Sequence, residues 1–424
     1  SGDPLAPLLT SEQELLQLLL DRALQSGLLK EQRQRFTYAH DLIRTELKNL
    51  APSLPIWAEL NLKTAALRLK RAESDSTGVE LEMVARNYWA GNLKNLALET
   101  GLDSLRRLVQ SGLMGHATSV TRRLLGWDDE LKLLTTEERG ELCLMGGEAA
   151  THAGHHAEAE GFIDSALQIA KIEKLADLGA KGTVQMALSF LQADRLDKAA
   201  HYFAEAQGFL PSCQEPETLS VVYFGLGQWS LAKEEESEAI EYFEESLGYA
   251  LQSDHLLTYQ LAARVALAKV TRAQGQIERA EKLFSRIYQD ALDGQLEVHS
   301  LEARLGLGLC AWRRGDPETA LPYFSEVRKS ARGNLFYVEF FAAIGEAWAH
   351  ALQQDWDKAQ MALIQAETLR IDVPHREREL DELRQAMRDY AFHCKRLDLI
   401  SQIDRLSDLS FSGSTTFLTE PARR

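Results

Sequence analysis

Residues 223–243 read YFGLGQWSLAKEEESEAIEYF. Gly227 lies twelve residues before Ala239, and Phe243 lies four after it. Apolar residues at helical spacing on both sides of a polar break predict two helices joined by a short turn. The same triplet recurs. The alanines are Ala159, Ala199, Ala239, Ala280, Ala320 and Ala359, with steps of 40, 40, 41, 40 and 39. Twelve residues before each stands a small residue: Gly147, Ala187, Gly227, Ala268, Gly308 and Ala347. Four after each stands a bulky apolar one: Ile163, Phe203, Phe243, Phe284, Phe324 and Leu363. The small pair lets two helix backbones approach, and the bulky residue one turn on fills the space beside that approach. Five residues before the alanines lie Gly154, Asp194, Glu234, Gly275, Gly315 and Gln354, where a turn is needed. In Gly315-Asp316-Pro317-Glu318, Asp316 suits an N-cap, Pro317 the first helical position, and Glu318 the positive end of the helix dipole.

This repeat resembles the tetratricopeptide repeat. Tyr223, Leu226 and Gly227, then Ala239 and Phe243, fit its W/Y-x2-L-G…A-x3-F pattern, as do Leu307, Gly308, Ala320 and Phe324. Ala199, Phe203, Ala206 and Pro211 match the family's second helix and terminal proline. The family period is about 34 residues, so a period near 40 predicts helices lengthened to about 17 residues. The resemblance implies an all-α, right-handed α-solenoid over residues 135–373, with six repeats. Divergent helical repeats are expected at 71–134, where Trp89 and Trp127 read as packing residues. A charged capping hairpin is expected at 374–409 and a Ser/Thr-rich disordered tail at 410–424.

Residues 1–70 do not follow the repeat. Residues 11–29 read as an amphipathic helix ending at Gly27-Leu28-Leu29. Phe36, Tyr38, His40, Asp41, Ile43 and Arg44 then resemble the end of the winged-helix segment in bacterial STAND/AAA-type signal-transduction ATPases. In that family this segment joins the ATPase core to tetratricopeptide-like repeats. The resemblance implies a partial winged-helix-like N-terminal segment, a chain that is the C-terminal portion of a larger protein, and an intramolecular contact with an upstream ATPase domain.

Composition narrows the function. The 424 residues carry 63 Asp+Glu against 47 Lys+Arg, a net charge of −16, which argues against nucleic acid as a direct partner. A hydrophobic share of 45% is too high for a disordered chain. No apolar run approaches the roughly 18 residues of a membrane span, and no signal peptide is visible, so a cytoplasmic protein is expected. Cys143, Cys213, Cys310 and Cys394 form no CxxC pair and read as reduced, buried thiols. The chain lacks GxxxxGK[ST], HExxH, GxGxxG and GxSxG. No catalytic residue, metal site or cofactor is expected, and an enzyme is disfavoured.

The resemblance implies a ligand on the concave face, lined by first helices. The repeat register turns Gln228, Lys269, Arg272, Trp312, Arg313 and Trp348 inward. Lys269, Arg272 and Arg313 suit the carboxylates of an acidic segment. Trp312 and Trp348 suit apolar anchors, or packing between repeats. A second feature is acidic. Residues 201–250 hold ten acidic residues and one basic, and Glu234, Glu235, Glu236, Glu238, Glu241, Glu244 and Glu245 form a patch that suits a basic partner or a solvated face. His152, His155 and His156 read as a surface cluster. The expected function is a protein- or peptide-binding scaffold or sensor of a bacterial signalling protein, with a homo-oligomer open. The alternative is a small-molecule or signal-peptide receptor.

Overall fold

The computed structural model describes residues 23–26, 29–32, 35–38, 50–53, 56–193 and 195–370, with single positions at 385, 387 and 388. Asp194, His40, Asp41, Cys394, most of the expected capping hairpin and the whole expected tail lie outside the described residues. The chain divides into two compact units, residues 1–71 with 83–99, and residues 72–82 with 100–424.

The first unit contains an antiparallel hairpin, β1 (Leu29–Gln32) and β2 (Arg35–Tyr38). Leu29 pairs with Tyr38 and Gln32 with Arg35. Leu29, read from sequence as the end of a helix, therefore opens a strand. Arg35-Phe36-Thr37-Tyr38 carries aromatic and β-branched residues that favour the extended backbone.

Helices α1 (Trp57–Ala72), α2 (Val79–Ala90), α3 (Lys94–Gln110) and α4 (Met114–Leu131) precede the regular array. Six hairpins follow. They pair α5 (Thr136–His152) with α6 (His156–Glu173), α7 (Ala176–Gln192) with α8 (Leu196–Phe209), and α9 (Pro216–Ala232) with α10 (Glu236–Ala250). They continue with α11 (Leu257–Ala273) and α12 (Ile277–Asp293), α13 (Glu297–Arg313) and α14 (Pro317–Ala331), and α15 (Phe336–Leu352) and α16 (Trp356–Arg370). Every first helix is 17 residues long, and the second helices run from 14 to 18. The array is an all-α solenoid of tetratricopeptide-like hairpins.

The triplet explains the packing. All six alanines are buried, as are the bulky residues four places on. A Cβ added to Gly227 would lie 2.6 Å from the Phe243 ring, and one at Gly308 would lie 2.8 Å from the Phe324 ring. A second small position stands two residues earlier. A Cβ at Gly345 would lie 2.5 Å from the Phe324 ring, so this one phenylalanine is held between its own hairpin and the next. Sequence reading found the first of these glycine positions and missed the second, which couples neighbouring repeats.

The turns follow from the residues five before each alanine. Gly154, Gly275 and Gly315 have φ of +77°, +79° and +72°, and Glu234 and Gln354 adopt +64° and +62°. Each ends its first helix in the left-handed region. There the next N–H reaches back to a carbonyl, as His155 does to Ala150 at 2.8 Å and Asp355 to His350 at 2.9 Å. Asp316 caps α14 by accepting the Thr319 N–H at 3.1 Å, with Pro317 at the first helical position. Thr135 and Glu138 form a capping box at the start of α5.

Candidate ligand-binding face

First helices of successive hairpins lie side by side, so their outward residues share one continuous face. That face carries two polar groups. In the first, the Lys181 ammonium of α7 donates to Glu141 of α5 at 2.7 Å and pairs with Glu217 of α9 at 3.5 Å. The Tyr259 hydroxyl of α11 donates to the same Glu217 carboxylate at 3.1 Å. Burial opposes the Lys181 charge, but Glu141 and Glu217 outweigh it and hold the ammonium above its ordinary pKa. Burial, with Glu217 beside it, pushes the Tyr259 phenol well up. Four consecutive first helices are thus joined by hydrogen-bonded charge.

The second group is basic. Lys269 of α11 donates to Glu302 of α13 at 2.8 Å, and His299 lies 3.4 Å from the other Glu302 oxygen. Burial would raise the Glu302 pKa, but Lys269 and His299 reverse this and hold it far below the ordinary range. Lys269 is raised for the reciprocal reason, although 38% of its side chain is open to solvent. Lys269 is therefore already neutralised. Arg272, one turn further on, is not. Its Nε is buried with no hydrogen-bond partner, and no carboxylate among the described residues pairs with it. Burial and the like charge of Arg313 lower its pKa, while Tyr337 and Cys310 lie close enough to affect it. An unpaired guanidinium in such a place is costly unless an anion supplies the missing charge.

The structure brings Lys269, Arg272 and Arg313 into one group, with Arg313 exposed. Trp312 is half-buried and its ring centroid lies 5.1 Å from that of Trp348. Trp348 itself is 2% exposed and its indole N–H has no acceptor among the described residues, so its ring belongs to the packing between helices in this conformation. Gln228 is half-buried on α9. Sequence reading did not pick out Glu141, Lys181, Glu217, Tyr259, His299, Glu302 or Tyr337. A signal was present for three of them, since Glu141, Lys181 and Glu302 each stand six residues before the small residue of their first helix.

The acidic residues lie at the α9–α10 turn and along α10. Glu234, Glu235, Glu236, Glu241, Glu244 and Glu245 are exposed. Glu238 is half-buried, accepts the Ser230 hydroxyl at 2.7 Å and is 3.5 Å from Lys233, which also pairs with Glu235. Cys143, Cys213 and Cys310 are buried and free, and burial pushes each thiol up to about 11. Among the described residues no group of three or more His, Cys, Asp or Glu is placed to hold a metal ion. No described helix is long and apolar enough to cross a membrane.

No family model matches the chain. No curated protein matches it either. Solved structures do. The Rap conjugation gene regulator of plasmid pLS20, solved with a Phr peptide, superposes with a TM-score of 0.52 at 14% identity, over 77% of this chain and 98% of that one. The apo quorum sensor NprR from B. thuringiensis gives 0.47 at 16% identity, over 87% and 99%. A signal transduction ATPase with numerous domains and a tetratricopeptide repeat sensor, from Pyrococcus horikoshii, gives 0.39 at 14% identity, over 88% of this chain and 59% of that one. At such identity the first likeness shows a shared helical-repeat solenoid fold.

Proposed function

We propose that the repeat region is a peptide-binding sensor or scaffold module whose ligand lies on the face of the first helices and ends in an acidic group. One observation carries this reading: Arg272 is a half-buried cation whose Nε is buried without a hydrogen-bond partner, next to a second cation, Arg313, and neither is paired with a carboxylate among the described residues. Lys181, buried on this face, and the half-buried Glu302 are matched by neighbours. A ligand carboxylate beside Arg272 and Arg313 would form charge-assisted hydrogen bonds and remove the unpaired charge. Trp312, beside Arg313 and partly open, offers an apolar surface for a side chain next to that carboxylate. The module binds rather than transforms its ligand.

The N-terminal hairpin supports a finer reading. Strand β2 holds Phe36 and Tyr38, two of the residues that resemble the end of a STAND-type winged helix, and a β-hairpin is the element such a wing requires. The parent is then a bacterial signalling ATPase in which ligand binding shifts the repeat region between arrangements.

The test is a pull-down and an anisotropy titration against acidic and amidated peptide pools, using wild type and Arg272→Glu/Arg313→Glu. The wild type retains acidic-ended peptides and the variant loses them by at least about ten-fold, the value of roughly one charged hydrogen bond. Equal retention by a folded variant rejects the basic-site reading.

A further inference from the structure

The turn between α3 and α4 meets helices far along the chain. A Cβ built on Gly112 would lie 3.4 Å from Leu335 Cδ1 and 3.6 Å from Val298 Cγ2. Val298 is 186 residues on, and Leu335 is 223. A Cβ on Gly115 would lie 4.0 Å from the Gly333 carbonyl oxygen, a second point on the same seam. Both sides of the seam are fixed locally. Gly112 has φ of +71°, and the Leu113 N–H reaches back to the Leu108 carbonyl at 2.9 Å, which sets the bend between α3 and α4. On the opposite side the Gly333 N–H donates to the buried Glu339 carboxylate at 2.9 Å, which pins the loop between α14 and α15. Met114 and Leu335, on the two sides, are both buried.

The residues on the far side of the seam head helices of the ligand-binding face. Val298 precedes His299, which with Glu302 and Lys269 makes the ionic group. Leu335 stands two residues before Tyr337, which lies close enough to act on both Lys269 and Arg272. A shift of the first turns of α13 and α15 therefore moves the seam and the basic group together.

We infer that the α3–α4 turn is a clasp, which closes the superhelical turn of the repeat region onto α13 and α15 and opens when those helices move. The seam rests on two apolar side chains and glycine backbone, a small contact of the kind that opens well below the cost of global unfolding. The hairpins between its two sides are packed one on the next by side chains such as Phe324, which is held between its own hairpin and the following one. The seam stands without any ligand. Its coupling to ligand rests on the reading of Arg272 and Arg313 given above.

The test uses the full chain with Cys394→Ser, since Cys143, Cys213 and Cys310 are buried. Gly112→Cys with Leu335→Cys is oxidised with copper phenanthroline. An intramolecular cross-link between positions 112 and 335, found by mass spectrometry, is the expected result. A folded, unlinked protein overturns the proposal. A wedge variant, Gly115→Trp, gives an independent arm. Amide exchange across 298–302 and 335–341 is expected to accelerate on the order of ten-fold, with the helical circular dichroism retained. Unchanged exchange in a folded Gly115→Trp protein also overturns it. Arg272→Glu/Arg313→Glu is expected to cross-link as efficiently as the parent, so failure of the ligand reading leaves this result intact and failure of the clasp leaves peptide retention intact.

Discussion

Arg272 sets the balance between stability and binding at the scale of single residues. Its guanidinium is held where burial and Arg313 both disfavour the charge. Replacing it by methionine keeps the apolar stem and removes the unpaired cation. Arg272→Met is expected to raise stability by about 1 kcal/mol in urea unfolding while abolishing retention of acidic peptides. The Lys269–Glu302 pair behaves in the opposite way. The folded Glu302 pKa lies below its ordinary 4.5, so its contribution is present above that pH and is lost as pH falls through the folded value. The folded Lys269 pKa lies above 10.5, so its contribution is complete below that pH and is lost as pH rises through the folded value. The stability difference between wild type and Glu302→Gln is therefore expected to be flat between these limits and to shrink in acid. A difference that grows toward acid would contradict the pairing. Residue-level detail was the least legible part in sequence. Lys269 and Trp348 each follow the small residue of their helix by one place. Yet the long, charged Lys269 reaches an open face, while the indole of Trp348 folds onto Trp312 and is buried. Register places a Cβ, and side-chain chemistry decides where the rest goes.

At the scale of the hairpin, the turn and the glycine contact make separate demands. Glu234 and Gln354 hold a left-handed backbone that glycine adopts without strain. Glu234→Gly and Gln354→Gly are each expected to raise stability by about 0.5–1 kcal/mol, seen as a higher thermal midpoint. Gly308 makes the opposite case, since an added Cβ would sit 2.8 Å from the Phe324 ring. Gly308→Val is expected to cost about 1–3 kcal/mol in the same measurement. The hairpins were legible in sequence because their signal is repeated six times and depends on volume, which single letters report well. Of the polar ladder from Glu141 to Tyr259, only the shared register of Glu141 and Lys181 was legible, because it joins residues about 40 apart whose types change from repeat to repeat. The strand opening at Leu29 was missed for another reason: an apolar run of Gly27-Leu28-Leu29 does not distinguish the end of a helix from the start of a short strand.

For the whole repeat region, the thiols report on integrity. Cys143 of α5, Cys213 between α8 and α9, and Cys310 of α13 are held as thiols by burial. In a Cys394→Ser protein, an aromatic disulfide reagent is expected to react with them only as the array unfolds, all three at one denaturant midpoint. Separate midpoints would show that the hairpins unfold independently. The charge of the chain also resolves at this scale. The net −16 excludes a generally basic surface, but acidity concentrates on the α9–α10 hairpin, and Arg272 of α11 and Arg313 of α13 have no carboxylate partner among the described residues. The central claim is that these arginines receive an acidic peptide end. The most direct measurement is competitive retention of peptide pools, identical except for a free or amidated carboxyl terminus, by wild type and by Arg272→Met/Arg313→Met. Selective retention of the free-carboxylate pool by wild type alone is the predicted result, and equal retention of both pools by both proteins would contradict it.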